Sequence, residues 1–225
     1  FAAIKAREQG VDVAIVDKAY AGKSGASIVS SGMWPVHNPK WGHDFDECMT
    51  NISKNGEYIN NREWTAIMLN ESWATYQDVM AWGVEFPAKP EEMKDYYIKE
   101  IMKGREGADK HTMPDKFTWI PLAHRKTTPF LRKQAEKVGV KIMDRIMVTD
   151  LLKQDGKVVG AIGFSLDSYY LYIFKAKATI LCGGNNSFRP SGMNKACLTG
   201  DPDAMAYRAG AEITGKEFPD MHFSM

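Results

Sequence analysis

The sequence is poor in the features that mark several large protein classes. It holds three cysteines, Cys48, Cys182 and Cys197, with no Cys-x-x-Cys pair among them. A structural zinc site or a cysteine-held iron–sulfur cluster needs closely spaced thiolates, so neither is expected. Scattered and odd in number, these thiols read as buried or incidental groups in a reducing compartment. The formal net charge is only +1, which leaves no field to attract nucleic acid, an acidic partner or a membrane surface. No apolar run reaches the roughly 18–20 residues that span a bilayer, and no signal-peptide pattern opens the chain. A cytoplasmic protein with no direct membrane span is the expectation.

What remains is an ordinary globular composition. Hydrophobic residues make up 44% of the 225 positions and charged residues 25%, and that length is enough for one large domain or for one and a half smaller ones. Thirteen Met and six Trp are more than usual. Trp64, Met68, Trp73 and Met80 recur at helical spacing, which predicts packing into a core rather than a cofactor box.

Along the chain, residues 1–10 read as the end of an amphipathic helix stopped by Gly10. The run VDVAIVDK that follows reads as a short buried parallel strand ended by an acid. Helix then strand is the second half of a βαβ unit, so a strand and a tight glycine turn are expected to precede Phe1. Residues 20–34 are small, polar and Gly-rich, a loop that lets backbone approach a ligand. Residues 35–61 look irregular and then weakly helical. One long helix is predicted over 62–83, stopped by Gly83, and residues 84–120 read as an excursion from the main sheet. A further helix covers 124–139 and ends at Gly139. Three strand-like runs follow, with Asp155-Gly156 as the hairpin turn between Thr149–Leu152 and Val158–Phe164. Residues 169–177 alternate as an antiparallel strand, and ATILCGG reads as a buried strand ending in two glycines. Residues 201–213 complete the pattern as a helix. Parallel βα units with an inserted β-meander and a helical excursion predict an α/β, doubly wound, Rossmann-like fold.

Four segments carry candidate chemistry. Asp17 ends a strand, where an acid accepts ribose hydroxyls in dinucleotide folds or simply caps a turn. In GKSGASIVSSGM, residues Ser24, Gly25, Ala26, Ser27 and Gly32 could bring backbone N–H groups close to phosphate; a plain surface loop is the other reading. Gly183 and Gly184 turn the chain at the carboxyl end of a strand, where ligands of parallel sheets lie. Thr199-Gly200-Asp201 precedes a helix, so Asp201 caps it or holds a ligand hydroxyl.

Taken in order, AAIKAREQGVDVAIVDKA, the Ser/Gly loop, DGKVVGAIGF, AKATILCGG, TGDPDAMAYRAGAE and a final His resemble the flavoprotein family of succinate dehydrogenase and fumarate reductase. That family includes L-aspartate oxidase, soluble fumarate reductases and the adenylylsulfate reductase flavoprotein. The resemblance implies FAD as cofactor. It matches Asp17, Lys18 and Ala19 to the strand end at the adenosine ribose. Ser24, Gly25, Ala26 and Ser27 match the loop that wraps pyrophosphate and flavin, closed by Gly32 and Met33. Membrane-bound members carry a flavin-linked His where Gly25 stands here, so the implied FAD is non-covalent. Val148 matches the strand position whose backbone meets the adenine. Gly183 and Gly184 match the turn near the flavin, Asp201 the acid of a Thr-Gly-Asp-Gly turn, and His222 a substrate-contacting histidine.

Some residues depart from the pattern. Pro202 replaces a glycine and removes an N–H. Phe223-Ser224-Met225 stands where Pro-Thr-Gly is usual. The Gly183–Pro190 stretch is similar to the adenylylsulfate reductase side of the family. The glycine turn and the catalytic Arg of fumarate reductases fall outside the sequence, as does a substrate-capping domain. The implied layout is a partial FAD-binding domain, with 1–34 and 124–225 as nucleotide-binding core and 35–123 as helical excursion. The implied reaction is hydride transfer between flavin N5 and a small carboxylate, with an iron–sulfur or cytochrome partner for the electrons. His37, His43, His111 and His124 read as surface or satisfied residues. Two rivals stand beside this reading: a truncated non-catalytic domain, and an NAD(P)-binding domain in which Asp17 reads the NAD ribose.

Overall fold

The computed structural model describes residues 1–28, 31–86, 92, 95, 119–184 and 199–215, with backbone alone at 31–33 and 119–126. The chain divides into two compact units, one of residues 1–30 and 132–225, the other of residues 31–131.

In the first unit, helix α1 spans Ala2–Glu8 and buries Ile4. Gly10 stops it at φ +79, a left-handed conformation that favours glycine. Strand β1 (Ala14–Val16) pairs in parallel with β4 (Lys141–Met143), Ile15 opposite Ile142. Their ladder continues past β1, because Asp17 N–H donates to the Met143 carbonyl and Ile146 N–H to the Asp17 carbonyl. A parallel pair needs a long crossover, which the intervening chain supplies. Strands β5 (Ile146–Gln154), β6 (Lys157–Ser165) and β7 (Leu171–Lys175) form an antiparallel meander in chain order. Its first turn is Asp155-Gly156, with φ of 50 and 76; positive φ at both centres is the type I′ signature that the Asp-Gly pair predicts. A register shift between Val148 and Asp150 marks a bulge on β5.

Helix α5 (Asp201–Ala209) ends at Gly210 and buries Met205. Polar links tie it to β5: Lys153 Nζ donates to the Ala209 carbonyl at 2.6 Å, and Arg208 donates to Asp150 Oδ1 and the Thr149 carbonyl, both at 2.7 Å. A lysine at the last carbonyls of a helix also opposes the negative end of its dipole.

The second unit contains β2 (Ser31–Pro35) paired antiparallel with β3 (Trp119–Ala123), and helices α2 (Phe45–Asn55) and α3 (Arg62–Ala81). Asp44 and Asn61 cap the two helices through bonds from Glu47 N–H and Trp64 N–H at 2.8 and 2.9 Å. Helix α4 (His124–Lys137), whose residues from Arg132 on belong to the first unit, ends before Gly139, whose φ is +86. An aromatic core joins Val36, Tyr76, Val79, Val84 and Phe86 with Trp34, Trp41 and Trp73 around them. Tyr76 is fully buried and stacks on Phe86 at 5.2 Å.

Three expectations need correction. Residues 178–184 form no strand and are exposed; a strand exists through its pairing, and no described strand lies alongside them. Residues 31–35 belong to strand β2 rather than to the preceding loop, because each pairs with a residue of β3. In α3, Trp73 and Met80 pack on the core, but Trp64 and Met68 are 66% and 39% exposed. The buried stripe is Thr65, Leu69, Ser72, Tyr76 and Val79, so two small polar residues took inward positions and turned Trp64 out.

Candidate functional site

The site is built at the carboxyl end of β1. Asp17 leaves the ladder there, and its Oδ1 accepts the Ala19 N–H at 2.7 Å. That turn leaves Oδ2 without a hydrogen bond among the described residues. Lys18, next along, points at the start of α5. Its Nζ donates to Thr199 Oγ1 at 2.7 Å and to Asp201 Oδ2 at 2.6 Å. The Thr199 hydroxyl donates in turn to the same Asp201 oxygen at 2.6 Å. These bonds, led by the one from Lys18, hold the Asp201 carboxyl below the usual aspartate range. Asp201 Oδ1 accepts no hydrogen bond among the described residues. Each acid thus keeps one carboxyl oxygen without a hydrogen bond among the described residues.

Gly183 passes directly against this corner. A methyl group there would overlap the ring of Pro202, so only glycine fits beside the first turn of α5. The Pro202 departure thus has a structural counterpart: the ring occupies the space that a side chain at Gly183 would take. Gly184 follows with φ +82.

The loop after β1 is anchored at its start. The Ala21 N–H donates to Asp144 Oδ1 at 2.8 Å, and Arg132 Nη1 donates to the Ala21 carbonyl at 2.9 Å. Arg132 and Asp144 pair with each other at 2.9 Å with side chains only 17% and 18% exposed. Ser24 Oγ closes the first turn by donating to the Tyr20 carbonyl at 2.7 Å. Beyond that, the backbone N–H groups of Ser24, Gly25, Ala26 and Ser27 donate to no group among the described residues. Gly25 has φ +76. Successive free N–H groups around a left-handed residue form a concave donor surface suited to phosphate oxygens.

The first unit thus brings Asp17, Lys18, Gly183 and Asp201 together and leads from Ala19 into Ser24–Ser27. Val148 lies on β5 opposite Gly163, two residues beyond the Ile146 N–H that bonds Asp17. Gly32 and Met33 lie on β2 in the second unit. His222 falls outside the described residues, as do residues 185–190. Sequence reasoning passed over Thr199, Arg132 and Asp144 as site residues; the Thr-Gly-Asp string hinted at the first, and nothing local signals the other two.

A family model for an FAD binding domain matches residues 1–223. The chain belongs to the FAD binding domain family. An uncharacterised FAD-dependent oxidoreductase of Methanocaldococcus jannaschii is 27% identical over 223 residues, covering 98% of this chain and 39% of that protein. One subunit of the fumarate reductase (CoM/CoB) of Methanothermobacter marburgensis is 26% identical over 228 residues, with 98% and 39% covered. The chain therefore spans about two fifths of the length of these relatives. Among solved structures, the open conformation of a flavocytochrome c3 fumarate reductase superposes with TM-score 0.71 at 22% identity, over 94% of this chain and 38% of that one. Adenylylsulfate reductase of Archaeoglobus fulgidus gives 0.65 at 20%, over 92% and 33%. These likenesses establish the α/β, Rossmann-like fold of flavoprotein domains.

FAD is the cofactor of this FAD binding domain family, and the residues present fit it. The run of four free N–H groups matches a pyrophosphate, and the open oxygens of Asp17 and Asp201 match ribose and ribityl hydroxyls. Among the described residues no group of three or more His, Cys, Asp or Glu could hold a metal ion.

Proposed function

We propose that the FAD binding domain serves a flavin-dependent oxidoreductase that moves a hydride between flavin and a small carboxylate substrate, as fumarate reductases and succinate dehydrogenases do. The observation that carries this reading is the open donor run of Ser24–Ser27 in the unit that also holds the open carboxyl oxygens of Asp17 and Asp201. When bound, FAD supplies a hydride acceptor or donor at N5. The chain's own residues bind and orient it. The amides of Ser24, Gly25, Ala26 and Ser27 neutralise phosphate charge without a cation. Asp17, with Lys18 and Ala19 beside it, accepts adenosine ribose hydroxyls, the Val148 backbone meets the adenine, and Asp201 accepts hydroxyls nearer the flavin. Gly183 and Gly184 let the chain pass close to the ring. Gly25 offers no nucleophile to a flavin methyl group, so FAD is held non-covalently. His222 contacts the substrate.

On this reading, residues 1–34 and 124–225 are nucleotide-binding core, 35–123 is helical excursion, and a capping domain of the whole protein closes over the substrate. The fumarate reductase flavoprotein subunit of Mycobacterium tuberculosis is 27% identical over 216 residues. A flavoprotein that works as one subunit of several supports an iron–sulfur or cytochrome partner here. Among the described residues no helix is long and apolar enough to cross a membrane; we place the protein in the cytoplasm, at a membrane face only through such a partner. The adenylylsulfate reductase likeness supports a second reading, in which the substrate is a sulfur oxyanion joined to a nucleotide.

The test uses the full-length protein. Acid precipitation should release yellow flavin into the supernatant. Flavin reduced by light should reoxidise on adding fumarate. Reduction of the oxidised flavin by sulfite with AMP, and no response to fumarate, would favour the second reading. Protein that takes up no FAD would refute both.

A further inference from the structure

Lys18 and Asp201 lie 183 residues apart in sequence, yet Lys18 Nζ binds both Thr199 Oγ1 and Asp201 Oδ2. Two of the three polar contacts of this cluster converge on one oxygen of the Asp201 carboxylate, and the third joins their donors. Lys18 Nζ and the Thr199 hydroxyl both donate to Oδ2, and Thr199 Oγ1 accepts from Lys18. The other oxygen is left open among the described residues. A carboxylate on a helix N-terminus would otherwise rotate freely about its last bond or fold back on the helix amides. Gly200, which precedes it at φ +71, gives no side-chain cap, and among the described residues only Lys18 and Thr199 hydrogen-bond the carboxylate.

We propose that Lys18 and Thr199 are positioning residues that clamp the Asp201 carboxylate, turning its free oxygen toward the cofactor and joining the end of β1 to the start of α5. This rests on the flavin reading above. It gives the Lys18 side chain a role through Asp201 rather than a contact of its own with the cofactor. Lys18 also offsets the charge of Asp201, so the site next to a pyrophosphate does not carry two uncompensated acids, Asp17 and Asp201. Asp203 lies in the same first turn of α5, and Cys182 adjoins Gly183 at the same corner.

Two measurements on the full-length protein test the clamp. The first is carbon NMR titration of the Asp201 carboxyl in the cofactor-free protein, for wild type, Lys18→Met, Thr199→Val and Thr199→Ser. Its titration should move up toward the ordinary aspartate range in Lys18→Met, move part of the way in Thr199→Val, and stay in place in Thr199→Ser. The second is FAD affinity in a cycle of Lys18→Met, Asp201→Asn and the double variant. Lys18→Met should weaken FAD binding by roughly threefold to fivefold, as expected for a half-exposed pair. In the Asp201→Asn background the same change should have little effect. Equal losses in both backgrounds would mean that Lys18 touches the cofactor itself, and would overturn the proposal. An Asp201 titration indifferent to Lys18→Met would overturn the clamp outright. Wild type that shows the titration but binds no FAD would overturn the flavin reading and the positioning role with it.

Discussion

Asp144→Ala is the perturbation with the largest consequence outside the ligand contacts themselves. The carboxylate accepts the Ala21 N–H at 2.8 Å and the Arg132 guanidinium at 2.9 Å, in a setting where both charged side chains are less than a fifth exposed. Its removal leaves the N–H of the buried Ala21 unpaired, at a cost of about 1–3 kcal/mol. It also strips Arg132 of the more buried of its two carboxylate partners. Breaking a fully buried pair costs about 3–5 kcal/mol. Arg132, however, keeps the Ala21 carbonyl and the exposed Glu136, so that part is much reduced. The expected sum is about 2–3 kcal/mol. Asp144→Asn keeps an acceptor for Ala21 and loses only the charge, so about half the effect is expected, roughly 1–1.5 kcal/mol. Urea unfolding followed by far-ultraviolet circular dichroism reads both values from the midpoint at constant slope. Because Ala21 opens the loop that carries Ser24–Ser27, FAD affinity should fall in the same order. A loss below about 0.5 kcal/mol for Asp144→Ala, or equal losses for the two variants, would refute the assignment of Asp144 as the loop anchor.

Three further outcomes follow from the geometry. The Asp201 carboxyl titrates below its ordinary value of 3.8 in the folded chain. Its contribution is therefore complete above that pH and disappears as pH falls through the lower folded value; the pair is partly exposed, so the stability gap between wild type and Asp201→Asn should not exceed about 1 kcal/mol at neutral pH and should close in acid unfolding curves. A side chain at Gly160, where φ is +154, would overlap the Phe174 carbonyl of β7, so Gly160→Ala should cost about 3 kcal/mol or leave the meander unfolded, measurable by thermal melting. Gly183→Ala should weaken FAD binding by displacing the first turn of α5, and adding Pro202→Ala should restore much of it, since the overlap is with the proline ring; a titration of flavin fluorescence reads both.

Where a feature depends on one residue's backbone, the sequence carries it plainly. Gly10, Gly83 and Gly139 end helices at positive φ, and Asp155-Gly156 makes the hairpin. The places of Asp17 at a strand end and of Asp201 at a helix start are also legible, because each follows from its immediate neighbours. The fold around them rests on pairing between remote segments, and there the reading weakens. The run ATILC is as apolar as a buried strand, yet apolar content does not make a strand without a neighbour to bond. Ser31–Pro35 looks like loop from its glycine and small residues but pairs with a segment beginning 84 positions beyond its last residue. On α3 the phase of the apolar stripe slipped, since Thr65 and Ser72 are buried and Trp64 is not. Arg132, Asp144 and the Lys18–Thr199–Asp201 cluster are tertiary ion pairs, and their partners are set by how the chain folds back rather than by spacing.

The most direct test of the cofactor site watches the amides that form it. Protein labelled with nitrogen-15 in serine and glycine should show saturable shifts of the Ser24, Gly25 and Ser27 amide signals as FAD is added, while Gly156, in the hairpin turn of the meander, stays fixed. FAD binding that leaves the Ser24, Gly25 and Ser27 signals unmoved, or no binding at all, would contradict the account.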